Sequence, residues 1–560
     1  MRTKNMQYIQ FPYIYIAVLI ILLYQKAIFF GFSYMDDHVL ILQNYDFLKN
    51  ISNFFEVFKR DVFYPAHNPF LFYRPFLTLS FMMDAHLTGI SPVGYHITNI
   101  FLHVIASCLF FSFFTRLDYA RIPSFFMACI FAVHPVLSQA VAWIPGRNDS
   151  LLAIFVLAAL ITFMELIRTK KTIWYFWHAL FFLSAIFTKE SALAIAPLCL
   201  IYHRLIVKNR GFPTEIKIIL SLWVFIALIW LYLRSHVLIN PIHWTVFDAT
   251  RSLTLVIPGF IQYIGKIIFP FNLSVAPILR DTSLLYGYIA IPLLILVLFR
   301  SQTKRSGFLI FGAAWFIFFL LPSLVSLNFG AIVSDFMEHR LYVPIIGFAI
   351  IILESGAAKA LTPKNKRALI AGAAVAAVFA AITYSAMDRF ENRISFWEDA
   401  VKTSPHSSTV HRLLGFLYYL DGNLKDSEKE CRTALALDPQ EPFVHNKLGR
   451  IYAARGESGA AEKEYREAII LYPNFDETYV NLATLFYKEN NRTDAAILWK
   501  RALALNPENV EAAKDLAIYY CEEKNPEALN YVEMLQKKGI KIPPDFMEKV
   551  RSITQERKER

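Results

Sequence analysis

Charged residues and cysteines are scarce in this chain. Only 18% of its 560 residues are Asp, Glu, Lys or Arg, whereas soluble domains usually contain about a quarter. The five cysteines are scattered, which excludes a disulfide framework and the paired spacings of a zinc site. The net charge of +11 does not indicate nucleic-acid binding, because most Lys and Arg residues lie in short loops between apolar runs, where they encode membrane topology.

Apolar residues occupy the place of the missing charge. The chain is 56% hydrophobic and 16% aromatic, with a mean hydropathy of +0.40. About eleven apolar runs have the length of a membrane-spanning helix, which needs about 20 residues. They lie near 8–30, 96–115, 122–139, 150–167, 172–188, 190–206, 217–235, 285–299, 307–326, 341–355 and 368–385. The first run follows Arg2 and Lys4 and is interpreted as an uncleaved signal anchor.

The distribution of basic residues predicts the orientation of these spans. Lys and Arg cluster on alternate loops, which marks those loops as cytoplasmic. Eleven spans from a cytoplasmic N-terminus then place the C-terminal region outside. The segment Leu253 to Phe269 is also apolar, but counting it as a span would move Arg300 and Arg305 to the outside. We therefore interpret it as a re-entrant or interfacial helix.

A repeat with a period of 34 residues begins after the last apolar run. Its prolines and its small second-helix residues recur in phase, at Pro405, Pro439, Pro473 and Pro507 and at Ala400, Ala434, Ala468 and Ala502. This period is typical of the tetratricopeptide repeat (TPR), an α-solenoid of stacked helix pairs. The sequence thus predicts an all-α protein with a membrane domain over 1–390, a TPR domain over 391–545 and a charged tail over 546–560.

Two adjacent carboxylates, Asp36 and Asp37, follow the first apolar run. They open a long first outer loop over 31–95. Adjacent carboxylates at a membrane edge repel each other and are costly to desolvate, which favours a functional role. One interpretation is a general base for a hydroxyl group. The alternatives are that Asp36 caps a helix that begins near Val39, or that both carboxylates and His38 bind a divalent metal.

Further polar groups lie at the outer ends of other apolar runs. Arg147 and Arg340 offer planar donors that suit a phosphate group, although Arg147 could equally snorkel from a helix start. His134 precedes a helix-stopping proline, and Lys189 and Glu190 occupy a very short outer turn. Glu338 and His339 precede Arg340. Each of these residues could simply mark the membrane interface, but all fall on the side that carries the two aspartates.

Several segments resemble the transmembrane and tetratricopeptide-repeat (TMTC) proteins, which are O-mannosyltransferases of the C-type glycosyltransferase (GT-C) fold. The resemblance covers most of the membrane domain and the repeats. The segments that carry it are MDDHVLILQN (35–44), YRPFLTLSF (73–81), GYHITNIFLH (94–103), FAVHPVLSQAVAWIPGRNDSLL (131–152), TKESALAIAP (188–197) and EHRLYVP (338–344).

The resemblance implies roles for Asp37, Asp36, Arg147, Glu338 and Arg340, and the polar residues near them complete the candidate site. Asp37 is expected to be the catalytic base, supported by Asp36. Three residues are expected to bind the lipid phosphate of the donor: Arg147, Arg340 and His339. Five more are expected at the rim or in support of the site: Glu338, His134, Lys189, Glu190 and Arg74. No residue is assigned as a metal ligand, and the question whether the site binds a divalent metal is left open.

The sequence departs from the family pattern at two places. The segment after His134 usually carries a glutamate where this chain has Gln139, which removes one charge from the site. The repeat array is also shorter than in animal members, which indicates a prokaryotic relative. We therefore expect a multi-pass protein of a prokaryotic plasma membrane, with the endoplasmic reticulum membrane as the alternative.

The resulting functional hypothesis is a membrane glycosyltransferase. It would move a mannose-like sugar from a polyprenyl-phosphate donor to Ser or Thr hydroxyls of a protein, with inversion, while the TPR groove binds the acceptor. One alternative is a transferase of the same fold that modifies a lipid or an envelope polymer. Another is a non-catalytic membrane anchor for a TPR scaffold, in which replacing Asp37 would change nothing beyond stability.

Overall fold

The computed structural model describes residues 10–64, 72–209, 211, 213–238, 246–301, 305–325, 336–355, 358 and 360–558. Throughout these ranges the chain is helical and contains no β-strand. Its contacts divide it into two compact units, Met1–Pro405 and His406–Arg560. This division places the helix Arg393–Thr403 with the first unit, whereas the repeat pattern groups it with the repeats.

The first unit contains sixteen α-helices within its described ranges. Shorter 3-10 or π turns join many of them, including the π turn His38–Leu42 and the 3-10 turn Glu338–Leu341. The α-helices are Pro12–Tyr24, Tyr45–Leu48, Pro75–Thr88, Pro92–Arg116, Arg121–Val133, Ser138–Ala142, Arg147–Thr169, Ile173–Thr188, Ile195–Ile201, Thr214–Val237, Val246–Ile268, Leu285–Arg300, Ser306–Val325, Pro344–Leu353, Lys366–Ala386 and Arg393–Thr403.

Six of the helical segments are long and apolar enough to cross a membrane. They are Pro12–Phe29, Pro92–Arg116, Ile144–Thr169, Thr214–Val237, Ser306–Val325 and Lys366–Phe390. A seventh candidate combines Arg121–Val133 with Pro135–Ala142, which are bent by 51° where His134 precedes Pro135. Proline cannot continue the helix hydrogen bonding at that point. The multi-span helical architecture is confirmed, whereas the total of eleven spans stays a prediction.

Other expected membrane segments form shorter or interrupted helices. The run 190–206 consists of a 3-10 turn, the helix Ile195–Ile201 and a π turn. The proposed re-entrant segment lies in a helix whose apolar part, Val256–Ile268, is shorter than a typical span. Its re-entrant placement stays a prediction. Four basic residues used to orient the chain, Arg2, Lys4, Arg210 and Lys304, lie outside the described residues.

The described part of the loop over 31–95 has its own hydrophobic core. Leu40 and Ile41 of the π turn pack with Val57 and Val62 and with one face of the helix Pro75–Thr88. Tyr95 and Ile144 complete this cluster from two other segments. Because these side chains are almost fully buried, they hold the residues beside them, including Asp36 and Arg74, in defined positions.

The second unit is a row of antiparallel helix pairs, followed by one last helix. The helices are Ser408–Leu420, Leu424–Leu437, Pro442–Ala454, Ser458–Leu471, Asp476–Lys488, Arg492–Leu505, Val510–Glu522, Glu527–Lys537 and Pro544–Lys558. The repeating small residues lie where the helices meet: Ala434, Ala468 and Ala502 are fully buried. At Gly449, an added Cβ would lie 2.5 Å from the ring of Tyr465. Close helix packing therefore requires the small residues that mark the repeat.

The turn between the two helices of each pair has a similar backbone geometry in all four repeats. Gly422 and Gly456 adopt φ values of +77° and +78°, and Asn490 and Lys524 adopt +67° and +50° at the equivalent positions of the next two repeats. Glycine tolerates this left-handed conformation, whereas a lysine is strained in it. The 34-residue period thus extends from the packing to the turn.

Candidate functional site

A recess in the first unit brings together residues from five distant segments. Asp36 comes from the start of the loop over 31–95, and Arg74 lies later in the same loop. Trp143, Asn148 and Asp149 come from the segment around the start of the helix Arg147–Thr169, Lys189 from a helix break, and His339 from the turn Glu338–Leu341. The apolar part of the lining is Leu40, Val62, Phe63, Leu77 and Pro145.

The two aspartates have different environments. Asp36 is half-buried and lines the recess, whereas Asp37 is only 1% exposed and does not contribute to its lining. Oδ2 of Asp37 accepts hydrogen bonds from the Ser33 backbone N–H at 2.6 Å and from Ser33 Oγ at 3.0 Å. Ser33 Oγ in turn accepts one from Trp143 Nε1 at 3.0 Å. Asp37 therefore fixes the loop, and Asp36 is the carboxylate presented to the recess.

Burial raises the pKa of both carboxyl groups. For Asp36 the pKa rises to about 7, because desolvation and the neighbouring charge of Asp37 outweigh the opposing effect of Arg74. For Asp37 desolvation raises the pKa to about 6, while the hydrogen bonds from Ser33 lower it. A carboxylate with a pKa near neutrality can accept a proton during a reaction.

The alternative that Asp36 caps a helix is not observed. Asp37, rather than Asp36, stands at the helix start, and its side chain makes no capping hydrogen bond.

Arg74 links the recess to the helix break at Glu190. Its Nη2 donates to Glu190 Oε1 at 2.8 Å. When the Asn148 amide is oriented so that its nitrogen donates to the Thr188 carbonyl at 2.9 Å, its oxygen accepts from Arg74 Nη1 at 3.2 Å. These contacts hold the guanidinium beside Asp36. The structure thus pairs Arg74 with Glu190, the chain neighbour of Lys189. The rim role expected for these three residues stays a prediction.

A second charged pair also lines the recess. Lys189 Nζ donates to Asp149 Oδ1 at 2.8 Å, and both side chains are largely buried. His339 Nε2 lies 3.9 Å from the other oxygen, Asp149 Oδ2. The indole ring of Trp143 packs at 5.3 Å from the His339 ring, measured between ring centroids. This part of the recess therefore combines a carboxylate, an ammonium group, an imidazole and an aromatic face.

Arg147 is not at the recess, which corrects the role expected for it. Its side chain is 0% exposed and pairs with Asp84 at 2.5 Å. Its Nε donates to Asn99 Oδ1 and its Nη2 to the Tyr95 carbonyl, both at 2.8 Å. With its donors directed at protein acceptors, this guanidinium cannot contact a lipid phosphate without breaking a buried ion pair. It ties three helices of the first unit together.

Glu338 and His134 are also buried and serve local structure. Glu338 Oε1 accepts from Lys266 Nζ at 2.8 Å and from the Ser274 backbone N–H at 2.7 Å. Nε2 of His134 is hydrogen-bonded to the Ile267 carbonyl at 3.0 Å. Neither residue lines the recess, but Glu338 anchors the turn that presents His339.

Arg340 follows His339 without lining the recess. It is half-buried, and its Nη1 lies 3.4 Å from the Ser323 carbonyl. Its phosphate contact stays a prediction. Within the described residues, no three His, Cys, Asp or Glu side chains are grouped closely enough to hold a metal ion.

Sequence reasoning missed several residues that link distant segments. Two of them, Asp149 and Trp143, line the recess. The others lie away from its lining: Asp84, Lys266 and Ser33. Asp149 and Trp143 lie within the quoted segment WIPGRND, but only its arginine was considered as a candidate. A signal existed for Asp149, since it lies in the first turn of the helix that begins at Arg147.

The fold and the recess define an all-helical, multi-span membrane protein with a TPR unit. A family model described as tetratricopeptide repeat matches residues 480–528. The protein O-mannosyl-transferase F38B6.6 of Caenorhabditis elegans is 25% identical over 414 residues, which cover 68% of this chain and 56% of the worm protein. The resemblance to the TMTC proteins is thereby confirmed.

Human relatives match over shorter stretches. Protein O-mannosyl-transferase TMTC3 is 29% identical over 199 residues, and TMTC2 is 36% identical over 98 residues; these cover 34% and 18% of this chain and 21% and 12% of the relatives. The chain thus spans about half of the worm relative and a smaller part of the human ones. Among solved structures, MamA covers 26% of this chain and 89% of its own, with 20% identity and a TM-score of 0.24. PilF of Pseudomonas aeruginosa covers 29% and 75%, with 20% identity and a TM-score of 0.27.

Proposed function

We propose that this protein is a membrane glycosyltransferase that moves a mannose-like sugar from a polyprenyl-phosphate donor to Ser or Thr hydroxyls of a protein. The observation that carries the proposal is the recess, where a carboxylate with a pKa near 7 lies beside fixed cations. The names of the relatives, protein O-mannosyl-transferases, support the same reaction class.

Asp36 is proposed as the base. In the reaction the acceptor hydroxyl gives its proton to Asp36 as its oxygen attacks the anomeric carbon. The new carbon–oxygen bond forms on one face while the bond to the lipid phosphate breaks on the other, so the anomeric centre is inverted. The electron pair of the broken bond leaves with the phosphate, and Asp36 later releases its proton to solvent. Asp37 acts as a positioning residue. These roles are the reverse of those implied by the resemblance, in which Asp37 is the base and Asp36 supports it.

Arg74 and Lys189 are proposed to stabilise the phosphate charge that develops in the transition state. Each is held by a carboxylate partner and lines the recess. Preorganised cations of this kind are effective because they need no rearrangement as the charge appears. Arg340 is retained as a further candidate, since it directly follows a lining residue.

The repeat unit is proposed to bind the protein acceptor. A groove with charged and apolar surface lies among its second, third and fourth helices. Its lining includes Glu428, Arg432, Leu448, Tyr452 and Lys463. Stacked helix pairs commonly offer such surfaces to extended peptides.

We propose that the protein lies in the plasma membrane of a prokaryote and that its repeat unit is outside the cytoplasm. Labelling of Gly459→Cys by a membrane-impermeant thiol reagent in intact cells tests this placement, and labelling only after lysis would contradict it.

The decisive experiment measures sugar transfer by the purified full-length protein in lipid. Polyprenyl-phosphate hexoses are supplied with a mixture of Ser- and Thr-containing peptides, and wild type is compared with Asp36→Asn. We expect transfer to peptide that falls by at least about 100-fold in the variant. Asp46→Asn is the matched control, because Asp46 is an exposed aspartate of the same loop, and it should retain wild-type transfer.

Other outcomes identify the alternatives. Transfer to lipid or to an envelope polymer, with none to peptide, would favour the related transferase with a different acceptor. Absence of transfer with every donor and acceptor would contradict the enzyme and favour the membrane-anchored scaffold.

A further inference from the structure

The buried side chain of Gln139 has a defined amide orientation. Its Nε2 donates to the Val275 carbonyl at 3.1 Å, and its Oε1 accepts from the His339 backbone N–H at 3.0 Å. A carbonyl only accepts and a backbone N–H only donates, so the two ends of the amide cannot be exchanged. Gln139 is 1% exposed, which keeps water from competing for these bonds.

This orientation determines which ring nitrogen of His339 carries the proton. Nδ1 of His339 lies 3.2 Å from Gln139 Oε1. Since that oxygen has only lone pairs to offer, Nδ1 must be the donor. Burial, followed by the charges of Lys189, Arg340 and Arg74, holds the pKa of His339 well below its ordinary value. The ring is therefore neutral near pH 7, and Nε2 is an acceptor without a proton.

Nε2 faces a second acceptor across the recess. Asp149 Oδ2 lies 3.9 Å away, and Asp149 Oδ1 is already paired with Lys189. Asp149 is 3% exposed, and its Oδ2 has no hydrogen-bond partner in the part of the chain that the structure describes. Buried acceptors are normally satisfied, and leaving one without a donor costs about 1–3 kcal/mol. Two neighbouring acceptors in the lining of one recess are suited to a group that presents two O–H donors side by side.

We propose that His339 Nε2 and Asp149 Oδ2 form a two-acceptor subsite that binds two neighbouring hydroxyls of the donor sugar, with Gln139 as the positioning residue. Adjacent ring hydroxyls present two O–H donors side by side, and a neutral sugar does not disturb the Lys189–Asp149 pair. The inference rests on the proposed function, because it assumes that the recess holds the sugar.

The chemistry disfavours other occupants. A phosphate group offers oxygen acceptors and negative charge, which Asp149 Oδ2 and an unprotonated Nε2 would repel. His339 is therefore assigned to the sugar. This differs from the sequence analysis, which expected it to bind the lipid phosphate. Trp143 also lines the recess, and an aromatic side chain suits the apolar C–H surface of a sugar ring.

Protonation of His339 would close this subsite. An imidazolium Nε2–H would donate to Asp149 Oδ2, so each group would satisfy the other and neither would remain for the ligand. Asp149 favours this protonated form, whereas Lys189, Arg340 and Arg74 oppose it. Asp36 lines the same recess and also favours it when ionised. Replacing Gln139 by glutamate adds a carboxylate at Nδ1 and shifts the balance toward the closed form.

The first test reads the His339 ring directly. The full-length protein, labelled with ¹⁵N-histidine, is examined in lipid by NMR, and the His339 signals are identified by their loss in His339→Gln. Wild type is expected to show a protonated Nδ1 and an unprotonated Nε2 at neutral pH. Gln139→Glu should show both nitrogens protonated, and Gln139→Met should lose the strict preference for Nδ1. A protonated Nε2 in wild type would overturn the proposal.

The second test measures binding of polyprenyl-phosphate mannose and of analogues in which one ring hydroxyl is replaced by hydrogen. Wild type should bind at least one single-deoxy analogue about tenfold more weakly, the loss of one hydrogen bond to a charged acceptor. In Gln139→Glu this preference should vanish at neutral pH and return as the pH rises above the increased pKa of His339. Gln440→Glu, at an exposed glutamine of the repeat unit, is the matched control and should bind as wild type.

These readouts separate the subsite from the reaction. Equal preference for the hydroxyls in folded Gln139→Glu, folded Gln139→Met and wild type would overturn the subsite, even if transfer to peptide occurs. A hydroxyl preference that depends on Gln139 would support it, even if no acceptor is glycosylated and the proposed function fails.

Discussion

The two units of the molecule use charge in different ways. In the first unit the ion pairs Arg147–Asp84 and Lys266–Glu338 are buried, with side-chain exposures of 0% and 6% and of 1% and 3%. In the repeat unit Arg466–Glu462 and Lys500–Glu527 are partly exposed to solvent, with exposures of 63% and 32% and of 49% and 47%. Loss of one partner should therefore be costly at the two buried pairs and tolerated at the two exposed ones.

The difference follows from the solvent that each region has. An exposed pair competes with water and contributes about 0–1 kcal/mol. A buried pair has no water to replace a missing partner, so removing one member leaves an uncompensated charge. Buried charges thus fix the positions of the segments that carry the recess, and small residues at helix contacts fix the repeats.

The largest expected effect breaks the Arg147–Asp84 pair. Asp84→Ala should lower the free energy of unfolding by about 3–5 kcal/mol, because it leaves the guanidinium buried and unpaired. Thermal unfolding in detergent measures the loss. The double variant Asp84→Ala with Arg147→Met should recover part of it, and Glu462→Ala in the repeats should change stability by less than about 0.5 kcal/mol. Equal losses in Asp84→Ala and Glu462→Ala would contradict the comparison.

Packing in the repeat unit should give the next largest effect. Gly449→Ala places a methyl group against the Tyr465 ring, and overpacking of this kind costs about 1–3 kcal/mol. Gly459→Ala is the control, since its Cβ would meet open space on a helix and alanine is favoured there by up to about 1 kcal/mol. Limited proteolysis of the full chain measures both changes. A stabilised Gly449→Ala would show that the period does not reflect close packing.

The acidic pair Asp36 and Asp37 extends the comparison to catalysis, because burial there raises the pKa of the proposed base. With Asp36 as base, kcat/KM should rise as the pH increases through about 7. Arg74→Met should move this rise upward by about one pH unit, since Arg74 lowers the pKa of Asp36. The raised pKa also means that the stability contributed by this group is complete at acid pH and falls as the pH rises through about 7. A pH profile that is unchanged in Arg74→Met would remove Asp36 as the titrating base.

The smallest effect concerns the turn of the repeats. Lys524→Gly should raise stability by up to about 1 kcal/mol, because glycine relieves the left-handed strain that lysine carries at φ +50°. Gly456→Ala, at φ +78° in an equivalent turn, should lower it by a similar amount. If both variants change stability in the same direction, backbone strain is not the cause.

The repeats and the apolar helices could be predicted because their signals are periodic and local. The location of most site residues at the ends of apolar runs could also be read from the sequence. The pairing of these residues could not. Asp84 and Arg147 are 63 positions apart, and Lys189 reaches Asp149 over 40 positions. No period connects such residues, so only the three-dimensional structure separates buried Arg147 from Arg74 at the recess.

The most direct measurement compares Asp36→Ala with Asp37→Ala for both sugar transfer and unfolding. We predict that Asp36→Ala lowers transfer by at least about 100-fold at wild-type stability. Asp37→Ala should instead lower the free energy of unfolding by about 1–3 kcal/mol, because Ser33 loses its buried acceptor, while the folded fraction still transfers sugar. Loss of transfer in a fully stable Asp37→Ala, together with normal transfer by Asp36→Ala, would contradict this account.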